Sequence, residues 1–408
     1  MSRLSHQDYH DHGGMKFAHW VPNVSGGLVV SKIPQRTDWG LEYNIKLAQI
    51  AEEAGFEYAL TQVRLMGSYG AEYQHDSVMF SAAILSATRR IKIISAIIPG
   101  IFHPIVVAKQ GATADQIFNG RWSIHIATGW NREEFDALGI PFLEHDERYA
   151  RSQEFVEILR GAWTEDNFCY DGKYWQIKDF TLRPKPLALP DRLTPDIFQG
   201  GNSTAAQEMA AAVSDWYFMN GNTPGDHKQQ IDNIKEMAAK RGRKVRFAVN
   251  AFVIARDTEE EARKELERIV SNADGEAVNK FRLSVKEAGQ ATKDNVGMWT
   301  DSNLRDLVQY NDGFKTNLIG TPEQIAERIY ALRKIGVDMI LCGFLHFHEE
   351  TKFFGERILP LVRELERGEP LKGREKHGPA RPHPGRSAAR PRLVTQTDAD
   401  SNRDGGRP

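Results

Sequence analysis

Two short stretches carry the residue types that could grip an anion and shape a reacting pocket. The first runs from Thr128-Gly129-Trp130-Asn131 to Glu144-His145-Asp146-Glu147-Arg148-Tyr149. Arg148, at the start of a helical pattern, can hold a phosphate through two parallel N–H bonds, and Tyr149 adds a hydroxyl donor. An Arg-Tyr pair in a first turn is also an ordinary solvated surface feature. The second stretch, Gln199-Gly200-Gly201-Asn202-Ser203, opens an alanine-rich helix. Its glycines permit close backbone approach, and the helix start offers free N–H groups with Ser203 as a further donor. Simple N-capping by Asn202 or Ser203 explains the same residues. Together the two stretches make a phosphate cradle a stronger reading than either alone.

Other chemistry is poorly supplied. The sequence has no GxGxxG after the first strand, no GxxxxGK[ST], no HExxH and no GxSxG. His346 and His348, followed by Glu349, alternate in a way that could share one face. A tight metal site needs three or four ligands with supporting partners, and no third is evident, so no metal is expected. His346 is instead placed in the pocket or at a helix start. His75 and His103 fall on loops that follow strands. Trp20, Trp39, Phe102, Trp130 and Trp299 could enclose a dry pocket, and Trp20 and Trp130 are expected as its walls.

The elements that must position these residues follow from periodicity. Strands are expected at Lys16–Val21, Tyr58–Val63, Ile91–Ile98, Arg121–Thr128, Asp196–Gln199, Asp215–Met219, Val245–Ala255 and Met339–Phe344. Helical patterns lie between them. Tyr43–Ala54 stops at Gly55, and Thr321-Pro322-Glu323 opens another helix with an N-cap and Pro at its first position. Eight alternating βα units favour a (β/α)8 TIM barrel with insertions, although an open doubly wound sheet fits nearly as well. Phe168–Ile177 reads as a hairpin turning at Asp171-Gly172. Residues 272–317 form a long insertion, read as a lid. Residues 1–14 are expected to be flexible, 15–370 to form one barrel domain, and 371–408, rich in Arg, Pro, Gly and Asp, to be disordered.

Composition narrows the class. The 408 residues carry a formal net charge of −2, with 40% hydrophobic and 26% charged residues, which argues against nucleic acid or an anionic membrane as partner. No run reaches a membrane-spanning length, the N-terminus lacks an apolar signal core, and only Cys169 and Cys342 occur. A cytoplasmic protein is the expectation.

Several stretches together resemble one family over roughly residues 16–368: WVPNVSGGLVVS (Trp20–Ser31), QRTDWGLEYN (Gln35–Asn44), AGFEYALTQVR (Ala54–Arg64), EHDERYARSQEF (Glu144–Phe155), NDGFKTNLIGTPEQIAERI (Asn311–Ile329) and GFLHFHEE (Gly343–Glu350). The family is that of the bacterial-luciferase-like, flavin-dependent monooxygenases. The resemblance implies a luciferase-like barrel using FMN as FMNH2, supplied by a separate NAD(P)H-dependent FMN reductase, and a homo-oligomer, dimer or tetramer. It implies flavin contacts at Val63, Arg64, Glu134, Arg148, Tyr149 and Ser203. His125 stands where the family usually has the Asn that bonds the flavin ring. His346, Trp130 and Trp20 are the candidates for the reacting side. The implied substrate is a small organosulfur compound, dimethyl sulfone, oxidised with O2 to methanesulfinate and formaldehyde. Phe252 and Phe344 replace polar residues of alkanesulfonate-oxidising relatives and suggest a neutral substrate. The alternatives are an alkanesulfonate or methanesulfonate monooxygenase, a metal-dependent barrel hydrolase using His346 and His348, and a non-catalytic flavin-binding barrel.

Overall fold

Eight short apolar segments, each too buried to leave its backbone unpaired, must close on one another. In the computed structural model they do so as β1 Lys16–Val21, β2 Tyr58–Thr61, β3 Lys92–Ile97, β4 Trp122–Ile126, β5 Ile197–Gly200, β6 Trp216–Met219, β7 Arg246–Phe252 and β8 Met339–Gly343. All neighbours are parallel, and β8 returns to β1 with Lys16 opposite Met339, closing a barrel in sequence order. The structure describes residues 13–67, 70–190, 192–290, 299, 302–369 and 371, without the side chains of 285–290. The expectations of a flexible N-terminus and a disordered tail fall almost wholly outside those residues.

Side-chain alternation divides the core in two. Ala18, Tyr58, Leu60, Ile94, Ala96, Phe198, Trp216, Phe218, Ala248, Met339 and Leu341 fill the barrel, with Trp20 and Val63 packed against them. Phe198 stacks on Trp216 at 5.3 Å and on Phe218 at 5.4 Å, so the interior is solid below the rim. The opposite faces pack under the helices. Two of those helices start with reciprocal caps, Thr258 with Glu261 and Thr321 with Gln324, each fixing two backbone N–H groups that would otherwise lack partners.

At the end where the strands begin, acids hold the strands in register. Glu57, Asp196, Asp215 and Asp338 each immediately precede a barrel strand. Glu57 accepts from the Phe17 N–H and pairs with Lys16; Asp338 accepts from the Phe247 N–H and pairs with Arg333. Asp215 accepts from the Ile197 N–H at 2.9 Å and faces Arg160 and Arg243. Asp196 receives the Trp216 indole N–H and Arg246.

The hairpin at Phe168–Asp171 and Gln176–Phe180 forms as expected. Two helical features were not among the expected elements, the helix Gly275–Gln290 within the insertion and the helical run Phe347–Glu366. The expected strand Val245–Ala255 breaks after Phe252, its end Ile254–Ala255 pairing in parallel with Ile319–Gly320. The pair joins strands only two residues long, too short for alternation to appear.

Candidate active site

At the opposite end, where the strands finish, a cavity opens. A barrel builds its reacting face there because the loops that follow the strands converge. One end of the cavity is polar. Arg148, on the helix His145–Thr164, is buried to 3% exposure, yet its only hydrogen bond among the described residues is from Nη1 to the Leu143 carbonyl. Its Nε has no partner, its guanidinium lies 4.4 Å from the Phe142 ring centre, and it makes no carboxylate pair among the described residues. Burial lowers its pKa to about 10, with the nearby Arg151 and Arg132 acting in the same direction. It stays charged, and its unused donor is available to an anion.

Tyr149 and Ser203 stand beside it. Burial raises the Tyr149 hydroxyl above its ordinary value, opposed by hydrogen bonds with Thr128 and Ser203, so the hydroxyl is neutral and can donate. Ser203 Oγ accepts from the Ala206 N–H and so caps the helix Thr204–Val213 while lining the cavity. Capping and pocket-lining are thus one arrangement. Gly201 has φ +140°, and a Cβ there would lie 2.5 Å from the Tyr149 hydroxyl. Only glycine leaves that approach open. The Tyr217 hydroxyl donates to the Gly201 carbonyl and holds the turn.

The remaining walls are largely apolar: Trp20, Leu60, Trp130, Phe218, Met219, Trp299 and Leu341. His125 lines the cavity with Nδ1 unpartnered, 5.6 Å from the Phe218 ring, and burial lowers its pKa to about 4. It is a neutral imidazole at ordinary pH. Among the described lining residues Arg148 is the single Arg or Lys.

Residues 15–339 match the model of the luciferase-like monooxygenase family. The chain belongs to the luciferase-like monooxygenase family. It is 59% identical over 352 residues to an FMNH2-dependent dimethylsulfone monooxygenase of Pseudomonas fluorescens (strain Pf0-1), covering 86% of this chain and 95% of that one. The protein of the same description from Pseudomonas putida is also 59% identical, with 86% and 96% covered. Among solved structures, a long-chain alkane monooxygenase superposes with a TM-score of 0.73 at 19% identity, covering 89% of this chain and 94% of that chain. This shows the shared barrel.

Within this family member, the structure gathers part of the expected set. Trp20, His125, Trp130, Arg148, Tyr149 and Ser203 line one cavity; Val63, Arg64, Glu134 and His346 do not. Val63 packs on the barrel interior, and Arg64 lies over the Tyr310 ring at 5.1 Å. Glu134 is buried with Oε1 accepting from the Leu65 N–H at 2.7 Å, so it fixes the loop after β2. His346 Nδ1 accepts from the Arg36 N–H at 3.0 Å, while His348 stacks on Tyr43 and donates to its carbonyl. His103 caps a helix, and His75 sits between Trp39 and Phe80.

Two expectations about walls are corrected. Phe252 and Phe344 are not in the cavity. Phe252 is covered by Phe314 and donates its N–H to the Gly313 carbonyl, and Phe344 packs among Phe56, Phe347 and Phe354. Trp299, a candidate not among the two expected walls, lines the cavity, and so does Asn311, which was not a wall candidate; both come from the insertion. Asn250 also lines the cavity; a lone Asn in the otherwise apolar end of β7 was its only signal. No described helix is long and apolar enough to cross a membrane.

Proposed function

We propose that this chain is an FMNH2-dependent monooxygenase that oxidises dimethyl sulfone with O2 to methanesulfinate and formaldehyde, leaving oxidised FMN and water. Identity of 59% to two dimethylsulfone monooxygenases supports the reaction. The observation that carries it in this chain is the division of the cavity into one cationic end and an uncharged remainder. The residues present fit FMN. Arg148 Nε would donate to the phosphate, with the Tyr149 and Ser203 hydroxyls and the open backbone at Gly200–Gly201 completing the cradle. The reduced flavin, when bound, supplies the electrons that activate O2.

The chain's own part is position and dryness. Trp20, Trp130 and Trp299 would exclude water from a bound flavin, and the insertion contributes Trp299 and Asn311 to that wall. With Arg148 committed to the phosphate, the substrate end holds no Arg or Lys among the described lining residues, and His125 is neutral there. A sulfonate would meet no cation, whereas a neutral sulfone needs none. The neutral-substrate reading therefore rests on Arg148 and His125 rather than on Phe252 and Phe344. Because the reduced flavin is consumed each turnover, a separate NAD(P)H-dependent FMN reductase is the partner. The test is product analysis with reduced FMN and O2, offering dimethyl sulfone and methanesulfonate in parallel. Formaldehyde and methanesulfinate from the sulfone alone are expected; turnover of methanesulfonate alone would overturn the substrate assignment.

A further inference from the structure

Asn250 joins the two apolar walls. It sits on β7 at 3% exposure, and its side-chain amide is fully committed in two directions. Its Oδ1 accepts the Trp20 indole N–H at 2.7 Å. Its Nδ2 donates to the Asn311 carbonyl at 2.8 Å and to Gln309 Oε1 at 3.3 Å. The amide cannot be turned the other way, because an indole N–H only donates and a carbonyl only accepts. Its backbone carbonyl accepts from Thr316 Oγ1 at 2.5 Å.

The segment it holds is also tied within itself and to the backbone of Val30, Gly221 and Phe252. Gln309 Oε1 also accepts from the N–H groups of Asn311 and Gly313, and the Asn311 carbonyl accepts from the Gly221 N–H. Trp299 donates its indole N–H to the Tyr310 carbonyl at 2.5 Å, between the two residues that Asn250 contacts. One carboxamide thus connects Trp20 on the barrel to the seat of Trp299 on the insertion. Both indoles face the cavity.

We propose that Asn250 is a positioning residue that sets the Trp20 indole and the 309–316 segment together, so that both walls keep water from the substrate end. This rests on the monooxygenase reading only for its catalytic consequence. The mechanical link can be measured without flavin.

The experiment compares Asn250→Asp and Trp20→Phe with the parent. Asn250→Asp keeps an acceptor for Trp20 but sets a carboxylate oxygen against two carbonyl-type oxygens, Asn311 O and Gln309 Oε1. Trp20→Phe keeps a ring but frees the amide, without touching the segment. Backbone hydrogen exchange in the flavin-free protein should quicken at Asn311 and Gly313 by tenfold or more in the first variant and severalfold in the second. Amides of β3 serve as the control and should keep parental rates. In turnover at saturating reduced FMN, product formed per O2 consumed should fall at least threefold in Asn250→Asp, the difference appearing as hydrogen peroxide. Parental exchange at Asn311 and Gly313 in Trp20→Phe would overturn the link even if Asn250→Asp fails to fold. Parental coupling in Asn250→Asp despite quickened exchange would overturn the catalytic consequence. If the parent leaves dimethyl sulfone unchanged, the function assignment fails while the exchange result still decides the link.

Discussion

The two ends of the barrel treat charge in opposite ways. Where the strands begin, each of Glu57, Asp196, Asp215 and Asp338 is matched by a Lys or Arg, and all but Asp196 also accept a backbone N–H from a neighbouring strand. Where the strands end, Arg148 is buried and forms no ion pair among the described residues, Arg151 is buried with Nε and Nη2 unpartnered, and His125 Nδ1 has no partner. Satisfied charge holds register. Single donors go unpartnered at both ends, Arg160 Nε and Arg243 Nε among them, but those two guanidiniums face the Asp215 carboxylate. A buried guanidinium without an ion-paired carboxylate persists against a desolvation penalty, which marks a place that a ligand completes. The same fold thus separates stability from function by which buried cations it pairs with a carboxylate.

Breaking the open end at its centre should give the largest effect. Arg148→Ala should weaken FMN binding by about 100-fold, or about 2.7 kcal/mol, measured by fluorescence titration. Its melting temperature should stay level or rise, because the change removes a buried cation that forms no ion pair among the described residues. A protein that melts much earlier with unaltered affinity would place Arg148 with the structural charges instead.

The closed end should respond in reverse. Asp215→Ala leaves Arg160 without its carboxylate and the Ile197 N–H without an acceptor. It should destabilise the fold by about 2–3 kcal/mol, discounted from a fully buried pair because both side chains are about a quarter exposed. FMN affinity of the folded fraction should match the parent. Denaturant titration together with flavin titration separates the two quantities.

Gly201→Ala tests whether the cradle depends on backbone approach. A methyl group there meets the Tyr149 hydroxyl at 2.5 Å and the Ala206 Cβ at 2.6 Å, on a φ of +140°. Both stability and flavin affinity should fall, each by about 1–2 kcal/mol. A loss of stability alone would remove Tyr149 from the phosphate cradle.

How far sequence reached follows the same division. The eight strands were legible because burial on one or both faces leaves continuous or alternating apolar runs, as in Trp122–Ile126 and Met339–Gly343. Arg148, Tyr149 and Ser203 were legible because helix starts carry their own chemistry. The walls were harder. Phe252 shares strand parity with Asn250, and only the distant Gly313–Phe314 segment decides that one is covered and the other faces the cavity. Phe344 lies one residue past β8, where parity turns it toward the helices. Asn250 has partners on β1 and in the insertion, far along the chain, and no local pattern encodes that meeting.

The smallest effect concerns the imidazole at the open end. With its folded pKa lowered to about 4 from 6.5, His125 resists protonation that the unfolded chain accepts. Its contribution is fully present above pH 6.5 and is lost as pH falls from 6.5 towards 4. His19 and His227, also lowered to about 4, act in the same sense. Asp312, raised to about 6 by burial, acts oppositely: the folded state takes up a proton first, so acid favours it between about 6 and 3.8. These three residues are unchanged in His125→Asn, so they cancel when variant and parent are compared. Because His125 borders the cavity, the linkage is discounted to about 1 kcal/mol between pH 7 and pH 5. The variant should therefore lose less stability than the parent over that interval, read from denaturation midpoints at the two pH values. Parallel slopes would show that the imidazole is solvated through the cavity, and that the open end is wetter than its aromatic walls imply.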